Sequence, residues 1–177
     1  DVYKRQDGNG RLGRLLITLM LINDGVLHSC LFYPSFQFKK NRSEYYRQLT
    51  SVRERGTYEE WIEFFCNSLL ESAKDSVGSL KNLVDLHNRS TATITENLGR
   101  TAANGQRLLG ILEEHPIVDT AFIAAQLDIG RSTASSLVKS FEELGILRPL
   151  DESRQRYRQY GYEEYLSILR EDAEPIR

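Results

Sequence analysis

Cysteine is scarce in this chain, and neither example has an obvious partner: Cys30 and Cys66 each stand alone inside an apolar stretch. Without metal-like spacing, two such residues read as buried free thiols. That excludes a disulfide-stapled secreted scaffold and fits a reducing, cytoplasmic setting. Long hydrophobic runs are also missing. The longest, residues 15–22, falls far short of the roughly 20 residues of a bilayer-spanning helix, so no membrane role is expected. No signal-peptide pattern opens the chain. Neither sign of charge dominates: 23 Lys and Arg against 25 Asp and Glu leave a formal net charge of −2. Any affinity for nucleic acid must then come from a local patch. The histidines are few, and His28, His87 and His115 lack metal-ligand spacing, so they read as surface or capping residues. There is no internal repeat and no low-complexity segment. The first residue is Asp1 rather than Met, and the chain is expected to be a fragment, a processed product or an engineered piece of a longer protein.

What is present is the composition of a globular protein, with 40% hydrophobic and 27% charged residues over 177 positions. That length suffices for one good core or two modest ones. The patterning predicts a mainly α protein with one late strand pair. Residues 12–23 are apolar on nearly every face, which predicts a helix buried in a bundle and ended by Asp24-Gly25. A second helix is expected from Pro34-Ser35, carrying Tyr45, Tyr46 and Leu49 and stopping at Gly56. Thr57 and Glu60 have capping-box spacing before a third helix. Its apolar positions Tyr58, Trp61, Ile62, Phe65 and Leu69 predict one buried stripe. A fourth helix is expected over 77–87, with Leu80, Leu83, Val84 and Leu86. The polar runs 88–91 and 103–105 then mark a border. Two domains follow from this reading, 1–103 and 104–177.

The second region carries a helix with Leu108, Leu109 and Leu112 that ends near His115-Pro116. Asp119 is placed to cap a short helix through Phe122, Ile123 and Leu127. A turn at residues 128–130 leads into a longer helix with Ala134, Leu137, Val138, Phe141 and Leu144 on one face and Gly145 at its end. Two short segments, 146–148 and 157–160, and a last helix over 163–170 complete it. Helix, helix, turn, helix and hairpin in that order predict a winged helix-turn-helix.

The segment with chemistry is Asp7-Gly8-Asn9-Gly10-Arg11-Leu12-Gly13-Arg14, which runs directly into an apolar helix. Glycines let the backbone approach a ligand, and the free N–H groups of the helix start favour an anion. Arg11 and Arg14, three apart, can both reach phosphate oxygens, and Asp7 is placed for a phosphate-bridging Mg²⁺. The same residues also suit an ordinary turn with arginines paired to carboxylates. Loop chemistry alone does not choose between the two.

This octet resembles the core of the Fic signature, His-x-Phe-x-(Asp/Glu)-Gly-Asn-Gly-Arg-x-x-Arg. The likeness continues through residues 41–49 (NRSEYYRQL) and 61–65 (WIEFF), and into the C-terminal winged helix of many bacterial members. What the resemblance implies is a partial Fic-type helical bundle that transfers AMP from ATP, with Mg²⁺, to a Ser, Thr or Tyr hydroxyl of a target protein. Asp7 would ligate the metal between the α- and β-phosphates. Gly8, Gly10 and Asn9 would form the α-phosphate anion hole, Arg11 would hold the β-phosphate, and Arg14 would reach toward the γ-phosphate. Tyr45 or Tyr46 would line the nucleotide pocket, or pack in the core.

The pattern breaks upstream. The family's general-base histidine falls on Tyr3, and the Pro-Phe that follows it reads Lys4-Arg5. A base supplies roughly 10²–10⁴ in rate, and a phenol with pKa about 10 does not serve at neutral pH. Either the chain is a binding-only member, or Asp1 to Gln6 is not the natural sequence before the motif. The abrupt change at Asp7 favours the second. The chain alone is then expected to be inactive and its parent an enzyme, and the alternative is a nucleotide-sensing DNA-binding regulator. The family's inhibitory pattern, (Ser/Thr)-x-x-x-Glu-(Gly/Asn), meets Glu96-Asn97 but finds Ala92 at its first position. In the second region, Arg131, Thr133, Ser135, Ser136 and Lys139 make a polar helix face suited to a major groove. The wing adds Arg148, Arg154, Arg156 and Arg158, offset by Glu142, Glu143, Asp151 and Glu152. DNA binding, docking or homodimer formation, and a structural role all remain open for this module.

Overall fold

The computed structural model describes residues 9–27, 34–151 and 158–171. The chain is mainly helical with a small antiparallel sheet of three strands. Its helices are α1 (Asn9–Asn23), α2 (Pro34–Lys40), α3 (Arg42–Arg55), α4 (Tyr58–Asn97), α5 (Ala102–Glu114), α6 (Thr120–Leu127), α7 (Arg131–Glu143) and α8 (Glu163–Glu171). Strands β1 (Ile117–Asp119), β2 (Arg148–Pro149) and β3 (Gln159–Gly161) lie in the order β1-β3-β2. Among the described residues no helix is long and apolar enough to cross a membrane. Two compact units divide the chain between Ser79 and Leu80.

In the first unit α1 ends as its sequence dictates: Gly25 takes φ +71, and the Val26 and Leu27 N–H groups return to the Leu21 carbonyl. The expectation that α1 lies buried fails. Leu12 and Met20 are 59% and 62% exposed, and Leu15, Leu16 and Leu19 are exposed too. An all-round apolar helix is buried only if neighbours surround it. The described residues cover one side of it, where Ile17, Leu21 and Ile22 are half-buried.

The expected second helix is two helices, α2 and α3, because Asn41 leaves helical geometry (φ −105, ψ 39) and its amide Nδ2 donates to the Gln37 carbonyl. The Asn41 N–H donates to the same Gln37 carbonyl at 3.0 Å, and the Asn41 carbonyl accepts from the Tyr45 N–H at 2.9 Å as α3 begins. Gly56, at φ 71, closes α3. Conversely, the third and fourth expected helices are one, α4, and the polar run 88–91 lies inside it. The helix runs on through that stretch, and carbonyls within it accept from hydroxyls one turn later, Arg89 from Thr93 Oγ1 (2.9 Å) and Thr91 from Thr95 Oγ1 (2.8 Å).

The buried stripe of α4 is narrower and rotated from the one expected. Tyr58 and Ile62 are exposed, while Trp61, Phe64, Phe65 and Leu69 are half-buried and Ser68 and Ser72 buried. The aromatic members join three helices. Phe38 of α2 stacks on Phe65 (5.8 Å) and tilts against Tyr45 of α3 (5.3 Å), and Tyr45 meets Trp61 edge-on (5.6 Å). Buried Gln37 of α2 donates to Asp75 of α4. Cys66, on the far side of the stripe, is an exposed free thiol rather than a buried one. Cys30 and His28 lie outside the described residues.

The second unit, Leu80–Glu171, holds a continuous core. Leu86 and Ile94 of α4, Leu108, Leu109 and Leu112 of α5, Ile123 and Leu127 of α6, Leu137, Val138 and Phe141 of α7, and Ile168 of α8 meet in it. Each such side chain contributes about 1.5–3 kcal/mol on leaving water. Asp119 caps α6 as its position predicts, its Oδ1 accepting from the Phe122 N–H at 2.7 Å. Asp128 closes α6 in the left-handed region (φ 54), and Gly145 (φ 73) ends α7.

The strand pair expected late in the chain is present as β2 and β3, with Arg148 opposite Gly161 and Pro149 opposite Tyr160. A third strand was not expected: β1 pairs with the other edge of β3, Val118 opposite Tyr160. Residues 103–105, read as a border, lie in the first turn of α5, where buried Gly105 lets the helix approach Ile94 and Leu98. Ser90, also in an expected border, is buried and shares a hydrogen bond with the Tyr162 hydroxyl at 2.8 Å.

Candidate functional site

Three helices of the first unit, α1, α2 and α3, each contribute one part of a cleft. Arg14 sits in the second turn of α1, half-buried, with its Nη1 folded back over Gly10, 3.5 Å from where a Cβ would stand. Beside it α2 presents Ser35, Phe38 and Lys39, and α3 presents Arg42, Tyr45 and Tyr46. These residues line an open cleft of about 420 Å³. A second depression of about 290 Å³ runs along α1 from Gly10 and Gly13 to Ile17, floored by Phe38, Tyr45, Trp61 and Phe65. Arg14, Phe38 and Tyr45 belong to both. Volumes of this size suit small-molecule ligands.

The charge of the cleft has one sign. Arg14, Lys39 and Arg42 line it, and no acidic residue does so among the described residues. The nearest acid in sequence, Glu44, is engaged elsewhere: it accepts from Arg47 Nε at 2.7 Å and from Gln48 Nε2 at 2.8 Å. The Arg47 hydrogen bond, then that of Gln48, holds the Glu44 carboxyl below its ordinary value. The Arg42 guanidinium lies 5.7 Å from the centroid of Tyr46, over the ring face. Tyr46 in turn meets Tyr45 edge-on at 5.4 Å. The arrangement is a cationic rim above an aromatic floor, which can hold an anionic ligand that also carries a flat apolar part.

The motif residues are distributed unevenly over this geometry. Gly10, Arg14, Tyr45 and Tyr46 come together at the cleft. Asn9 and Arg11 lie in the first turn of α1. Tyr3, Asp7 and Gly8 lie outside the described residues. Lys39 was missed as a site residue, and Arg42 was noted only within a motif. A lysine at the end of one short helix carries no motif, and the stretch that contains Arg42 assigns that residue no role. Three apart in sequence, the two are brought to one cleft from the end of α2 and the start of α3.

In the second unit, α7 divides cleanly. Ala134, Leu137, Val138 and Phe141 are buried, while Arg131, Thr133, Ser135, Ser136 and Lys139 are exposed. Lys139 lies 3.7 Å from Glu143, an exposed pair of the kind that contributes little. Arg148 on β2 is exposed; Arg154 and Arg156 lie outside the described residues. His87 pairs with Glu113 (Nδ1 to Oε1, 2.7 Å), and His115 stands at the C-terminal cap of α5 with its ring edge-on to Phe122. Among the described residues there is no cluster of His, Cys, Asp or Glu that could hold a metal ion. No known protein-family model matches the chain.

Proposed function

We propose that the first unit is the nucleotide-binding part of a Fic-type adenylyltransferase, which transfers AMP from ATP to a hydroxyl of a target protein. The observation that carries this reading is the cleft itself. Arg14 of the DGNGRLGR segment shares it with Lys39, Arg42, Tyr45 and Tyr46, and no acid opposes them among the described residues. Phosphoryl-type transfer asks little covalent chemistry of the protein and much positioning and charge neutralisation. Arg14 supplies the latter at the polyphosphate. By the resemblance to the Fic signature, Gly8, Asn9, Gly10 and Arg11 would make the remaining phosphate contacts, and Asp7 would hold Mg²⁺, whose chemistry is to neutralise the bridged phosphates. With Tyr3 at the position of the base, the chain binds ATP and transfers no AMP.

The test is a calorimetric titration of the chain with ATP and Mg²⁺, beside the Arg14→Ala and Asp7→Ala variants. ATP is expected to bind, at least about tenfold more weakly to either variant, as befits loss of a charge-assisted contact. A chain that binds no ATP, or binds it equally well without Arg14, sinks the reading.

A second reading rests on a separate observation, the exposed polar face of α7. If α6, the turn after it, α7 and the β2–β3 pair act as a winged helix-turn-helix, Arg131, Thr133, Ser135 and Lys139 face a DNA groove, with Arg156 on the wing. The protein is then a regulator in which the cleft senses nucleotide. Duplex affinity that falls steeply with added salt supports it, and no binding at low salt removes it.

A further inference from the structure

We infer that Lys39 and Arg42 form a polyanion-selective edge of the cleft, and that Tyr46 is the residue that positions Arg42 for it. This rests on the nucleotide reading above and extends it from binding to the choice among nucleotides. Three observations converge. Lys39 and Arg42 lie on either side of the Asn41 interruption, so two different helices bring their charges to one cleft. Neither they nor Arg14 make an ion pair among the described residues, and Glu44, the acid closest to Arg42 in sequence, is committed to Arg47 and Gln48. Unneutralised cations on a concave surface repel one another and are relieved by an anion of matching charge.

The Arg42 guanidinium, moreover, has an aromatic partner. It lies over the Tyr46 ring at 5.7 Å, and that ring is held edge-on by Tyr45. A ring face already covered by a guanidinium is not offered to a nucleobase on that side. Tyr46 is therefore a support for a charge rather than a platform for a base, and the flat part of the ligand is left to the floor around Phe38 and Tyr45. A guanidinium fixed in this way loses less freedom when it grips phosphate oxygens. The ligand class that fits is a nucleoside di- or triphosphate in preference to a monophosphate. Arg14 meets one end of the chain of phosphates, and Lys39 and Arg42 another.

The experiment measures binding of ATP, ADP, AMP and inorganic tripolyphosphate to the chain, to the Lys39→Ala/Arg42→Ala double variant, and to Tyr46→Phe and Tyr46→Ala. All the replaced side chains are exposed, so the fold is expected to persist, and circular dichroism checks it. The double variant is expected to lose about tenfold or more in ATP affinity while AMP changes by less than about twofold, so the preference collapses. Tyr46→Phe should keep the preference and Tyr46→Ala should reduce it, because the ring face and not the hydroxyl holds Arg42. An unchanged ATP-to-AMP ratio in the double variant overturns the inference, as does a Tyr46→Ala variant with full preference. If no nucleotide binds the wild-type chain but tripolyphosphate does, and does so through Lys39 and Arg42, the nucleotide reading fails and the polyanion edge stands. If the wild-type chain binds ATP no more tightly than AMP, the edge fails and the nucleotide reading stands.

Discussion

A methyl group added at Gly105 would come within 2.8 Å of Ile94 Cγ2 and of Leu98 Cδ1. Leu98 can turn its chain end away, but Ile94 is branched at Cβ and fully buried, so the helices must move apart. Overpacking of this kind costs about 1–3 kcal/mol, against about 1 kcal/mol that alanine returns in helix propensity. Gly110, in the same helix, has nothing within 4 Å of a built Cβ and is exposed. Urea unfolding should find Gly105→Ala destabilised by up to about 2 kcal/mol and Gly110→Ala stabilised by about 0.5–1 kcal/mol. Equal responses would mean that α5 does not approach α4 closely at Gly105. A second residue sets a pH limit. Burial pushes the Tyr162 phenol from 10.0 up to about 12; Glu113 and Glu164 push the same way, while the Ser90 hydrogen bond and Arg89 oppose. The folded value lies above the unfolded one, so the stability this group contributes is whole below pH 10.0 and is lost as pH rises through about 12. Urea midpoints should fall across that window, and Tyr162→Phe should flatten the fall. Tyr165, raised chiefly by its own burial, leaves a remainder.

At the scale of elements, α6 depends on its first residue. Asp119 Oδ1 accepts from the Phe122 N–H, so Asp119→Ala should cost about 1 kcal/mol while Asp119→Asn or Asp119→Ser costs much less, measured by thermal or urea unfolding. This cap was legible in the sequence, as were Gly56, Gly145 and the turn that begins at Asp128, because such ends are decided by a few neighbouring residues. The buried faces of α5 and α7 were legible for a related reason. Leu108, Leu109 and Leu112, and Ala134, Leu137, Val138 and Phe141, repeat with the period of a helix that has one apolar side. Elements decided by distant partners were not. The span of β1 offers three residues and no alternation, and it is a strand only because β3 lies beside it. The join of the third and fourth expected helices into α4 was hidden by polar residues that read as a linker. Burial of α1 was inferred from its all-round apolarity, yet burial is a property of neighbours. The candidate site divides in the same way. The octet announces itself as a motif, whereas Lys39 and Arg42 become part of a site only because α2 and α3 pack beside Arg14 of α1.

Considered whole, the chain carries its continuous core in residues that all fall between Leu80 and Glu171, from Leu86 to Ile168. A polypeptide of residues 80–171 should therefore fold alone, with a cooperative thermal transition and dispersed amide resonances. A non-cooperative melt would mean that this core needs residues before Leu80. Within that unit, the unexpected strand β1 has a consequence for time rather than for stability. Helices α6 and α7 close on each other through neighbouring stretches of chain, but β1 cannot pair with β3 until everything between Asp119 and Gln159 has been gathered in. The loop-closure entropy of that gathering comes before any reward from the ladder. In pulsed hydrogen exchange during refolding, the amides of α6 and α7 should gain protection first. The sheet, which ties the approach to α6 to the far end of the unit, should close last, as the latch on a helical body already formed.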